Sequence, residues 1–257
     1  METQQAQPIF VIGDVHGQFE RLLGLLLSAE LIDSAMRWIG ADAILWFIGD
    51  LIDRGPDSID VINLVMRLQS EATAVGGQVG VVLGNHEVML LSAQHFGGHF
   101  MSEWEWNGGY TADLAKLTPQ HLAWIAQLPA MVLIGEQLLI HADATFYTQY
   151  GRSVTQVNQA LRLIMMSHHT AARDRLLELF CERRAFVETH TDGVTRAMRF
   201  LSTFGGRRLF HGHTPISAMS ALAPEDVSQP LIYANGLCVN VDGGMYLGGA
   251  GFVYQIH

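Results

Sequence analysis

The stretch AILWFIGDLIDRG, residues 43–55, decides how the chain is read. Its apolar run, 43–48, has the length and the aromatic and β-branched content of a strand. The run stops at Gly49. Two carboxylates three residues apart follow, Asp50 and Asp53, with Arg54 beside the second and Gly55 behind it. Charge at the end of a buried strand is costly unless it is paired or bound to a cation. The arrangement recurs along the chain. The apolar run 9–12 ends in GDVHG (13–17), 79–83 in GNHE (84–87), 138–140 in HAD (141–143) and 208–210 in HGHTP (211–215).

Helical patterns lie between these runs. QFERLLGLLLSAEL (18–31) follows the first and DSIDVINLVMRLQ (57–69) the second. Thr118 reads as an N-cap with Pro119 at N1, opening QHLAWIAQL. Ser153 caps VTQVNQALRLIMM, in which Val154, Val157, Leu161 and Ile164 recur at helical spacing. Further strand-like runs lie at 237–241 and 252–256. The long intervals after residues 87 and 143 are expected to add helical cover around a cleft. Strands alternating with helices imply an α/β fold, whose ligands gather beyond the carboxyl ends of the strands. No repeat or linker divides the chain, so residues 1–257 are expected to form one catalytic domain.

Composition narrows the function classes. Of 257 residues, 49% are hydrophobic and 16% charged, enough to bury a core and too apolar for a disordered chain. A net charge of −10 argues against a broad nucleic-acid-binding face. The two cysteines are too few for a disulfide framework or a thiolate zinc site, and both are expected to be buried apolar groups. The opening METQQAQPIF lacks signal-peptide regions, and LLGLLLSAELI (22–32) is too short to span a bilayer. A soluble, cytoplasmic protein with no nucleic-acid or membrane partner is expected.

The strand ends collect Asp14, His16, Asp50, Asn85, His141 and His213. Oxygen and imidazole donors without thiolate suit Mn, Fe or Zn better than Ca or a structural zinc. One carboxylate can bridge two cations roughly 3.5–4 Å apart, as two-metal hydrolases require. The fork of Arg54 matches phosphate oxygens.

In order and at these intervals, GDVHG, GDLIDRG and GNHE resemble the motifs of the phosphoprotein phosphatase family, bacterial type, within the calcineurin-like metallophosphoesterase superfamily. WEWNGG (104–109) and VNVDGGMYLGG (239–249) resemble further segments of that group. The resemblance implies an α/β calcineurin-like metallophosphoesterase fold, a central β-sandwich of mixed sheets flanked by helices, with the active site at the strand C-terminal ends. It also implies two divalent metal ions, Mn²⁺ first, with Fe or Zn as alternatives. Asp14, His16 and Asp50 would hold one, and Asp50, Asn85, His141 and His213 the other, Asp50 bridging. His86 would protonate the leaving oxygen, oriented by Asp53, while Arg54 and Asn85 bind the substrate phosphate. A second phosphate-binding arginine is sought in CERRAF (181–186), with Arg184 preferred over Arg183.

HAD departs from the HGG of the eukaryotic enzymes, which leaves Asp143 near the site without a role. His211 reads as a supporting or solvent-facing residue beside the ligand His213. Asp242 either approaches the site or makes the turn before Gly243. His95, His99, His121, His168, His169 and His190 read as surface or cover residues, Arg173, Arg175 and Arg183 as solvated helix-face charges, and Met165–Met166 as core filler.

The function implied is a metal-dependent phosphomonoesterase, a protein serine/threonine phosphatase in which a dimetal-activated hydroxide attacks phosphorus directly. Its partner would be a phosphorylated protein or peptide, and its oligomeric state stays open. The alternative is a hydrolase of dinucleoside polyphosphates such as diadenosine tetraphosphate, with the same dimetal site. A third reading is a non-catalytic phosphoprotein-binding module. Pro215 stands where nucleases and phosphodiesterases of the superfamily place a second histidine, which disfavours those activities.

Overall fold

Alternation along the apolar runs builds two stacked sheets. A computed structural model describes residues 7–187 and 192–256; the opening residues 1–6 and His190 lie outside the described residues. The first half comprises β1 (Ile9–Ile12), α1 (Phe19–Ser28), β2 (Ile44–Phe47), α2 (Ser58–Ala74), β3 (Gln78–Val81), α3 (Asn85–Phe96), α4 (Gly98–Trp106), α5 (Thr111–Leu114) and α6 (Pro119–Ile125). Then come β4 (Met131–Ile134), β5 (Gln137–Ile140), α7 (Val154–Met166), α8 (Thr170–Phe180), α9 (Gly193–Phe204), β6 (Arg208–His211), α10 (Ile216–Met219), β7 (Leu231–Tyr233), β8 (Cys238–Asn240) and β9 (Tyr254–Ile256).

One sheet has the order β3-β2-β1-β9, with β1, β2 and β3 parallel and β9 antiparallel to β1. The other has the order β4-β5-β6-β8-β7, with β5, β6 and β8 parallel and antiparallel strands at both edges. Successive side chains point to opposite faces. Val11, Trp46, Leu139, Phe210 and Val239 therefore meet in one buried cluster between the sheets. Their chain neighbours Ile12, Leu45, Phe47, Leu138, Ile140, Leu209 and Cys238 pack with the helices in the larger core. This is the mixed-sheet sandwich flanked by helices that the motifs imply.

Register sets the position of the site. Ile12 pairs with Phe47, and Phe47 with Val81, so three parallel strands end level. Phe210 pairs with Leu139 and Val239 in the second sheet. The two level edges meet where His141 Nδ1 lies 2.7 Å from Ile48 O, a bond that crosses the sheets.

The expected caps form: Thr118 Oγ1 accepts from His121 N at 3.2 Å and Ser153 Oγ from Gln156 N at 3.3 Å. β4 and β7 go beyond the expected strands. The apolar residues of β4 continue those of α6 across Pro129, and the outer positions Leu133 and Ile232 are exposed, so neither strand shows a separate buried pattern. Three further readings are corrected. Arg173 is buried rather than solvated: its Nε donates to Ile164 O at 2.9 Å, its Nη1 to Ser92 Oγ at 3.2 Å, and its Nη2 to Met165 O, closing the carbonyl end of α7. Met165 is core, whereas Met166 faces solvent. Cys238 is buried, but Cys181 is exposed. Among the described residues no helix is long and apolar enough to cross a membrane.

Phe47 is fully buried beneath the helices. Phe47→Ala should lower the free energy of unfolding by about 3–5 kcal/mol in urea denaturation; a loss below about 1 kcal/mol would contradict this packing.

Candidate active site

Every parallel strand delivers a polar residue to the shared edge, and the turns that do so are unusual. His16, Asp50, Asp53, Arg54 and His213 all have φ between 49° and 69°, a left-handed conformation that costs a non-glycine residue roughly 1–2 kcal/mol. Backbone bonds hold it in place. Val15 N and His16 N both donate to Asp50 O, at 3.0 and 2.9 Å, and Arg54 N donates to Gly108 O at 2.7 Å. Gly49 adds a φ of +92°, and a Cβ there would lie 2.9 Å from His141 Nδ1. A Cβ on Gly212 would lie 2.1 Å from Asp14 Oδ1. Both glycines let the two sheets close on the site.

Glu87 does the largest share of this holding. Its carboxylate is buried and accepts three backbone N–H bonds, from Gly84 at 3.0 Å, Asp50 at 2.9 Å and Leu51 at 2.8 Å. It locks the turn after β2 to the start of α3. The sequence reading gave it no role, although the last letter of GNHE is the signal that could have found it.

Asp50 is the centre of the cluster. Its Oδ2 stands 3.4 Å from His141 Nε2, 3.7 Å from His16 Nε2 and 3.9 Å from His86 Nε2. These separations are long for hydrogen bonds and suit donors that share a cation at roughly 2.0–2.2 Å from each. Two triads meet at this carboxylate, His16–Asp50–His86 and Asp50–His141–His213. Asp14 Oδ2 lies 3.9 Å from His16 Nε2, and both Asp14 oxygens accept from His213 N at 3.1 Å. Asn85 Oδ1 lies 2.9 Å from both His141 Nε2 and His213 Nδ1.

The imidazoles are oriented from behind. The Nδ1 atoms of His16 and His141 face the carbonyls of Ile52 and Ile48 at 2.9 and 2.7 Å, so each presents Nε2 to the centre. His86 is different. Its Nδ1 sits 2.7 Å from Asp53 Oδ2, while Asp53 Oδ1 accepts from Trp104 Nε1 at 2.9 Å. His86 is thus held by Asp53 through Nδ1, while its Nε2 falls within ligand reach of Asp50.

Electrostatics agrees with a cation site. Burial, then the charge of Asp242, holds Asp14 well above the usual carboxylate range, and burial pushes Asp242 up to about 6. Burial likewise keeps His16 and His213 well below the usual imidazole range. His141 resists burial because the Asp50 carboxylate draws it up to about 10; against the same burial, His141 holds Asp50 low. The neutral imidazoles of His16 and His213 facing crowded carboxylates suit a divalent cation, and the positive charge that Asp50 draws onto His141 marks where a cation would replace a proton. The buried Oδ2 of Asp242 has no hydrogen-bond partner within the protein, which fits the same assignment; the Nε2 atoms of His86 and His213 are likewise unpartnered.

A cleft lined by Arg54, Asn85, Met89, Phe180, Arg183 and Tyr246, among others, opens over this cluster. The Arg54 guanidinium stacks over the Tyr246 ring, 4.2 Å from its centroid, with Nη1 3.0 Å from His16 Nε2. Tyr246 had no place in the sequence reading. The choice between the two CERRAF arginines is corrected. Arg183 lines the cleft, whereas the Arg184 guanidinium turns away and donates to Ala218 O. His211 is buried against Tyr233.

Comparison with known proteins agrees with this geometry. The calcineurin-like phosphoesterase family model matches residues 7–217. Shewanella-like protein phosphatase 2 of Arabidopsis thaliana is 34% identical over 93 residues, covering 35% of this chain and 24% of that protein. The symmetrical bis(5'-nucleosyl)-tetraphosphatase of Escherichia coli is 34% identical over 149 residues, 55% of this chain and 44% of that enzyme. The chain thus spans less than half the length of these curated relatives. The solved cold-active protein-tyrosine phosphatase of a psychrophilic Shewanella superposes with a TM-score of 0.77 over 98% of this chain and 75% of its own, at 21% identity, a likeness of fold.

Adding Mn²⁺ at about a hundredfold excess over Kd should raise Tm by about 5–10 °C, from roughly 2.7 kcal/mol of binding free energy at one site. Glu87→Ala leaves three buried N–H groups unpaired and should cost at least about 3 kcal/mol of stability. An unchanged Tm in either experiment would contradict the assignment.

Proposed function

The chain belongs to the calcineurin-like phosphoesterase family, and on that premise we propose that it is a metal-dependent phosphomonoesterase acting on phosphoserine or phosphothreonine in proteins. The observation that supports this most is one cleft that holds two guanidinium groups, Arg54 and Arg183, above the Asp50 cluster. A terminal phosphate carries up to two charges on three free oxygens, and paired arginine forks suit it.

The family's two-metal site falls to Asp14, His16 and Asp50 on one side and Asp50, Asn85, His141 and His213 on the other. When bound, the two cations, Mn²⁺ foremost, supply the activated water and offset phosphoryl charge. The protein's own groups do the rest. Arg54 and Arg183 bind and orient the phosphoryl oxygens, and the Asn85 side-chain nitrogen is left to donate to a third. Asp53 and His86 share one proton across 2.7 Å: burial pushes His86 down to about 4 and Asp53 up, so the pair holds one proton and does not take a second readily. The unpartnered Nε2 of His86 carries its own hydrogen and gives it to the leaving serine or threonine oxygen, while the proton shared with Asp53 passes to Nδ1. Met89, Leu177 and Phe180 form the apolar side of the cleft against which the leaving group rests.

A second reading, hydrolysis of diadenosine tetraphosphate, is favoured by the longer match to the symmetrical tetraphosphatases, 149 residues against 93. The same cluster and acid would serve it. Both activities should be assayed on the Mn²⁺-loaded protein with a phosphothreonine peptide and with diadenosine tetraphosphate. Faster peptide turnover is expected; preference for the dinucleotide would replace the first reading with the second.

His86→Asn should slow turnover by about 10²–10⁴-fold while inorganic phosphate binds as before. Near-normal turnover would remove His86 from the role of acid.

A further inference from the structure

We propose that Asp143 is a positioning residue that seats Arg183 in the cleft; this rests on the phosphate-binding reading of that arginine. Asp143 follows His141 at the end of β5 and is fully buried. Its Oδ1 accepts from Arg184 N at 2.9 Å and its carbonyl from Ala185 N at 2.9 Å. Its Oδ2 accepts from the Tyr233 hydroxyl at 2.9 Å, and that hydroxyl stands 2.8 Å from His211 Nε2. Asp143 thereby ties the strand carrying His141 to the loop carrying the arginines and to the strand before Gly212 and His213.

The loop needs such a tie. Arg184 has φ 61°, the left-handed region that a non-glycine residue avoids. That turn places the side chains of successive residues differently: Arg183 lines the cleft, and Arg184 reaches Ala218 O. A hydrogen bond from the strained residue's own N–H to a buried carboxylate oxygen holds the turn where it bends. The flanks are secured separately. Glu182 accepts from Thr145 Oγ1 at 2.7 Å and Phe146 N at 3.1 Å, Arg196 Nε donates to Ala185 O at 2.7 Å, and Phe186 is buried. Loss of the Asp143 side chain therefore frees the turn at Arg184 without releasing the whole loop. Asp143 touches neither phosphate nor cation in this assignment and acts only through Arg183.

The test is isothermal titration of inorganic phosphate into Mn²⁺-loaded protein, with a double-mutant cycle. Arg183→Ala and Asp143→Ala should each weaken phosphate binding, by about tenfold for the arginine and by a smaller factor for the aspartate. The double variant should bind no more weakly than Arg183→Ala alone. Asp143→Asn, whose Oδ1 still accepts from Arg184 N, should restore wild-type affinity, and Arg184→Ala should leave it unchanged. Asp143→Ser provides the same cycle if the alanine variant does not fold. Independent, multiplying losses in the double variant, or wild-type affinity in Asp143→Ala, would overturn the proposal. Absence of phosphate binding in the unmutated protein would overturn the phosphate-binding reading with it; phosphate binding without phosphomonoester turnover would overturn the substrate reading alone.

Discussion

The Glu87 carboxylate, accepting N–H bonds from Gly84, Asp50 and Leu51, is the constraint on which the rest of the site depends. It fixes two strand ends relative to one another and lets Asp50 hold a left-handed backbone. From that position Asp50 places Oδ2 among three imidazoles and Oδ1 against His86 N at 3.0 Å. A buried carboxylate satisfied by three donors is rigid, because every alternative leaves unpaired N–H groups. The geometry of the centre therefore follows from packing of the backbone and not from flexible side chains.

Strain and charge concentrate in the same few residues. Five left-handed residues and the buried carboxylates Asp14, Asp50, Asp53 and Asp242 lie along one edge of the sandwich. Neither is compatible with a site optimised for stability alone. The two buried clusters, one between the sheets and one beneath the helices, provide the apolar burial that tolerates them. Such a balance is common where function needs a preorganised centre.

The fold was legible because short continuous apolar runs end in glycine or polar residues at the same edge, and because motif order matched a known family. The clustering of Asp14, His16, Asp50, Asn85, His141 and His213 was legible for a related reason: each lies within four residues of a strand's end. What stayed hidden depends on backbone direction. Nothing in CERRAF says which arginine faces inward until Arg184 adopts φ 61°. The bond from Trp104 to Asp53 spans 51 residues, and Tyr246 stacks on Arg54 from a turn far along the chain. Arg173 looked solvated because two of its three partners are carbonyls at the end of α7, which carry no side-chain signature.

On the proposed assignment Asp50 would be shared by both cations. Electron paramagnetic resonance of the Mn²⁺-loaded protein, with the metal content of the same sample, tests it directly. Two manganese ions per chain with a spin-coupled spectrum, replaced by an uncoupled signal in Asp50→Asn, is the result expected. A single uncoupled ion in the unmutated protein at saturating Mn²⁺ would contradict the bridging role.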